Sequence, residues 1–160
     1  MTKTHEEYMT RIANATPLQL TIILYELAIG FIDGAMAAQA RSAELKTAIS
    51  KARGAVEELF ASLDMDVPTA EELANLLLYV NRLLIQSNVQ RDEHKKNLLL
   101  ADARKIMFEL HNAWQQLETT DALAEKIFEN APQVFAGLTY SKDGQLAEFI
   151  EDNPDRGYKI

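Results

Sequence analysis

The segment ATPLQLTIILYELAIGF, residues 15–31, constrains the fold more than any other part of this 160-residue chain. Thr16-Pro17-Leu18-Gln19 combines an N-cap threonine, a proline at the first helical position and a glutamine three residues after the cap. That is a capping box with a pre-set φ, and it starts a helix expected to run to about residue 39. The helix has almost no polar face: between Pro17 and Phe31 only Gln19, Thr21 and Glu26 are unambiguously polar. A surface helix buries one stripe and wets the rest. Here two apolar rows run in parallel, one of Leu20, Leu24, Leu27 and Phe31, the other of Leu18, Ile22, Tyr25, Ile29, Ile32 and Met36. One row serves a bundle core. The other is either a wide face covered by a neighbouring element or by the chain's own tail, or a groove for another protein's apolar segment.

The rest of the chain also reads as helix. Leu45, Ile49, Ala52, Val56, Leu59 and Leu63 alternate steps of four and three, a narrow seam suited to antiparallel packing. After LDMDVPT, Thr69-x-x-Glu72 reads as a second capping box. The third helix it opens keeps Leu73, Leu76, Leu77, Val80, Leu83 and Leu84 on one side, while Leu78 and Ile85 fall away. NVQRDEHKK is a polar interruption. A fourth helix follows with Leu99, Ala103, Ile106, Leu110, Ala113 and Leu117, beside a second row of Leu100, Met107 and Trp114. The expected fold is all-α, an antiparallel up-down-up-down four-helix bundle spanning 1–118, with an N-terminal cap segment and a C-terminal extension.

That extension, 119–160, has a different texture. Residues 121–160 hold eight Asp or Glu against four Lys or Arg, half of the chain's net charge of −8. They also hold Leu123, Ile127, Phe128, Val134, Phe135, Leu138, Phe149 and Ile150, too many large apolar groups for a plainly disordered tail. Short helices are expected over 121–129 and 145–151, packed on the bundle or on a neighbouring molecule.

Catalysis finds no footing. A di-iron carboxylate bundle needs Glu-x-x-His, and the residues three before His5, His94 and His111 are Thr2, Arg91 and Phe108. There is no phosphate loop, nucleophile elbow or H-E-x-x-H, and adjacent acids such as Glu57-Glu58 do not face one another on a helix. No catalytic residue, metal or cofactor is expected. The acidic balance argues against nucleic acid. The absence of cysteine removes disulfides and thiolate chemistry and fits a reducing compartment. MTKTHEEYMTR is too polar for a signal peptide, and the apolar run Leu18–Ile32 is shorter than a spanning helix. A cytoplasmic protein without a membrane segment is expected.

Several of these segments together resemble the flagellar secretion chaperone family FliS. They are Tyr8, then Ala15-Thr16-Pro17-Leu18-Gln19-Leu20 and Leu24-Tyr25-Glu26; VEELFASLD; ELANLLLYVNRLLIQSN; and FELHNAWQQL. The resemblance covers residues 5–118, with Tyr25-Glu26-Leu27-Ala28 where the family usually has Tyr-Asp-Gly-Ala and Val80 after Tyr79 where it usually has Asp. It implies a chaperone that binds the disordered C-terminal segment of flagellin, prevents premature polymerisation and delivers flagellin to the export apparatus. With the surplus apolar row it places client contacts at Ile22, Tyr25, Ile29, Asn75, Leu78, Tyr79 and Arg82. It also makes Tyr8, Met9 and Ile12, which precede the first cap with no helix of their own, a segment that covers part of the client site until binding moves it. A monomer or weak homodimer is expected. The alternatives are a helical adaptor for another export component or a regulator, and a structural homodimeric bundle.

Overall fold

The computed structural model describes residues 5–117. Among these residues the chain is all-helical, with α1 (His5–Asn14), α2 (Pro17–Ala37), α3 (Ala43–Ala61), α4 (Pro68–Val89) and α5 (Glu93–Gln116). The two short helices expected within 119–160 lie outside the described residues.

The capping box that opens α2 forms as read. The Gln19 amide donates to Thr16 Oγ1 at 3.2 Å, and the Thr16 amide donates to Gln19 Oε1 at 3.0 Å. The second expected box does not form. α4 begins at Pro68 with Val67 as its N-cap and no side-chain cap hydrogen bond. Proline at the first position fixes φ and brings no amide to satisfy, so the helix starts one residue earlier and Thr69 is already inside its first turn. Nor is the N-terminal segment without a helix of its own. Residues 5–14 form α1, joined to α2 through Ala15 and Thr16 alone.

α2 and α4 each pack against both α3 and α5. The α3 seam is buried as the spacing predicts, from Leu45 to Leu63. On α5 the interior row is the other one. Leu100, Met107 and Trp114 are buried, together with Ala103 from the first row, while Leu99, Ile106, Leu110 and Leu117 flank them half-buried and Ala113 is exposed. The two rows lie about 100° apart on the helix, and the one carrying Met107 and Trp114 turns inward because their larger apolar surfaces gain more from burial.

The polar interruption is shorter than read. Asp92 caps α5 by accepting the Lys95 amide at 3.0 Å, which places His94, exposed, and Lys96, fully buried, in the first turn of the helix. The Lys96 ammonium lies at the end of α2. It donates to the carbonyls of Ala35 at 3.3 Å, Met36 at 3.4 Å and Ala38, and pairs with Glu93 at 3.0 Å. Glu93 in turn accepts the amide of Ala40. A lysine here satisfies carbonyls that the end of a helix leaves without partners and complements its negative pole. The connection it pins is tight enough to hold Arg41 at a φ of 62°.

α2 and α5 run antiparallel. Lys96 meets Ala35 and Met36, Arg104 meets Asp33, and His111 meets Glu26, so position rises on one helix as it falls on the other. At 21 residues α2 is long and apolar enough to cross a bilayer by length and composition, and it is the central core helix of this fold.

Candidate functional site

Both apolar rows of α2 are interior. Leu20, Leu24, Leu27 and Phe31 are buried, and so are Leu18, Ile22, Tyr25 and Ile32, with Ile29 and Met36 half-buried. The surplus row is a wide covered face, and part of the cover is α1. Tyr8 is buried, and Met9 and Ile12 pack half-buried against the core.

What fastens α1 is polar. Arg11 donates to both carboxylate oxygens of Glu26, at 2.8 and 3.0 Å, and its guanidinium lies 5.4 Å from the centre of the Tyr8 ring. Behind Glu26, Nε2 of His111 approaches Oε2 at 3.4 Å. Burial alone would raise the Glu26 carboxyl; hydrogen bonding by His111 and Arg11 reverses this and holds it at about 2. Burial, reinforced by the charge of Glu26, pushes the Tyr8 phenol up to about 12. Tyr25 is fully buried, with its hydroxyl on the side of Trp114 of α5. The line continues along α5, where Phe108 stacks on His111 with ring centres 6.4 Å apart and Arg104 pairs with Asp33 at 2.6 Å. Arg11, Asn14, Gln19, Ile22, Ile23 and Gln115 line a cleft of about 280 Å³ where α1, α2 and α5 meet.

A second surface lies on α4. Asn75, Leu78, Tyr79 and Arg82 are exposed, as are Ile85 and Val89. Leu78, Arg82, Ile85 and Val89 follow one another in steps of four, three and four, which puts them on one face of the helix. Leu76, expected on the inner side, is 38% exposed. The structure therefore separates the seven expected contact residues into two groups. Asn75, Leu78, Tyr79 and Arg82 stand open on α4, while Ile22 and Tyr25 are interior and Ile29 is half-buried on α2. α2 and α4 pack on α3 and α5 rather than closely on each other, so the two groups do not form one groove in this conformation.

Sequence reasoning did not single out Arg11 or Lys96, and it weighed Glu26 only as a polar position and family residue on the apolar helix and His111 only as a metal ligand. One signal was available. Glu26 is the lone charge within sixteen residues of an apolar helix, and a charge in such a setting needs a partner. Among the described residues no three His, Asp or Glu side chains gather as a metal site would require.

A bundle with an apolar stripe facing outward and a lightly fastened helix over its most apolar element is the build of a protein-binding module. A family model described as Flagellar protein FliS matches residues 1–121, and the chain belongs to that family of flagellar chaperones. No match is found among curated proteins or solved structures.

Proposed function

We propose that the chain is a cytoplasmic export chaperone that binds the disordered C-terminal segment of flagellin, keeps it from polymerising prematurely and hands it to the flagellar export apparatus. In this reading α2 to α5 form an antiparallel up-down-up-down four-helix bundle. The observation that carries it is the outward apolar stripe of α4, Leu78, Tyr79, Ile85 and Val89, within a chain of the FliS family. Such a stripe costs solubility unless something covers it, and an amphipathic client segment supplies matching area. Asn75 and Arg82 beside it offer hydrogen bonds that set register. Ile22, Tyr25 and Ile29 extend the site when α1, through Tyr8, Met9 and Ile12, gives way. Ordering a disordered client costs several kcal/mol, which holds affinity low enough for release during export.

Calorimetry of the full chain against the C-terminal forty residues of flagellin from the same organism tests this. Binding is expected, and Ile85→Asp is expected to weaken it at least tenfold with helicity unchanged. No heat of binding, or binding indifferent to the α4 stripe, overturns the reading. Self-association through that stripe, read by ultracentrifugation, marks a structural homodimer instead.

A further inference from the structure

α1 is the least anchored helix of the described fold. Its ten residues are too few to be stable alone, and the extensive packings join α2, α3, α4 and α5. Its single buried side chain is Tyr8, and its acids Glu6 and Glu7 are exposed. Against this stands one strong contact, the two-pronged Arg11–Glu26 pair with the Tyr8 ring beneath the guanidinium. Among the described residues, the groups that face Glu26 are Arg11 and Tyr8 from α1 and His111 from α5.

If α1 lifts, Glu26 keeps only His111 at 3.4 Å and loses both guanidinium hydrogen bonds. Its side chain is 20% exposed with α1 in place, and it sits on the same helix face as Ile22, Tyr25 and Ile29. A neutral apolar helix laid over this face would bury a carboxylate that has lost both guanidinium hydrogen bonds and has His111 alone beside it, and an acidic one would oppose it. α1 itself shows the chemistry that fits. We propose that the face beneath α1 selects an amphipathic helix carrying an Arg or Lys three residues after an aromatic or bulky apolar side chain, and that Glu26 is the residue that reads this cation. The inference rests on the reading above only in taking α1 to be displaceable.

The test uses the full chain with Tyr8→Ala and Arg11→Ala together, so that its own α1 no longer competes. The probes are synthetic peptides of residues 4–15 with the natural Arg, with Gln, or with Glu at the position of Arg11. Binding is followed by amide chemical shifts around position 26 up to millimolar peptide. The natural peptide is expected to bind at least about tenfold more tightly than the Gln peptide. Adding Glu26→Gln to the host should erase that difference, and adding Glu26→Lys should shift preference to the Glu peptide. Circular dichroism checks that each host is folded, and the near-isosteric Glu26→Gln suffices if Glu26→Lys is not. Equal binding of the natural and Gln peptides, or no binding of either at millimolar concentration, overturns the proposal. Flagellin binding to the wild-type chain is scored separately, so failure there removes the client and leaves the cation preference standing.

Discussion

A carboxylate at position 26, surrounded by Ile22, Tyr25 and Ile29, is stable as an anion only because donors reach it from two other helices. Its carboxyl is held at about 2, below its ordinary 4.5. The unfolded chain therefore binds the extra proton between those values, and the contribution of Glu26 is present above about pH 4.5 and lost as pH falls toward 2. Its size is on the order of 3 kcal/mol. Urea melts of the wild type at pH 7, 4 and 3 should move step by step toward those of Glu26→Gln, which should show less dependence on pH over that range. Tyr8 acts at the other extreme. Its phenol is raised from 10 to about 12, so its contribution is full below pH 10 and disappears as pH rises through 12. Lys96 is the second decisive residue. Lys96→Met removes a donor that serves the carbonyls of Ala35, Met36 and Ala38, of which Ala35 keeps the Ala38 amide, and should cost about 3 kcal/mol. That corresponds to a melting temperature lower by roughly 6–12 °C. The exposed neighbour Lys95→Met should stay within about 0.5 kcal/mol.

At the scale of the helix, the two N-termini that looked alike in the sequence make opposite predictions. Thr16→Ala removes an oxygen that accepts the Gln19 amide and should destabilise by about 1 kcal/mol. Thr69→Ala removes nothing from the start of α4 and should be close to neutral in the same melt. The two faces of α4 diverge in the same way. Leu77→Ala, at a fully buried position, should cost about 2–5 kcal/mol, whereas Leu78→Glu should leave stability within about 0.5 kcal/mol and reduce binding of an apolar dye. What was legible in the sequence were periods and caps with strong local chemistry: the α2 capping box, the α3 seam, and the outward turn of Leu78 and Ile85. What was not legible depended on contacts between distant residues. Which α5 row turned inward was settled by packing against α2 and α4, and the pairing of Arg11 with Glu26 joins positions fifteen apart. Lys96 was hidden because a lysine within a charged run reads as solvated until the end of another helix is placed against it.

For the molecule as a whole, residues 1–121 match the family model, so a chain ending at residue 121 is expected to keep its helical content and melt cooperatively. Circular dichroism of that truncation checks it, and a non-cooperative melt would show that 122–160 is part of the folding unit. Fastening is unequal along α2. Its C-terminal end is tied to α5 by a buried ammonium and to the next connection by Glu93, while α1 lies over its earlier turns and is fastened through Arg11, Glu26 and Tyr8. In mechanical terms this is a box with a hinge at one end and a clasp at the other. A pull that parts α1 from α2 would open the clasp and leave the hinge closed. If α1 gives way, opening starts at the Arg11–Glu26 clasp, and the buried Lys96 tie at the far end of α2 stays closed.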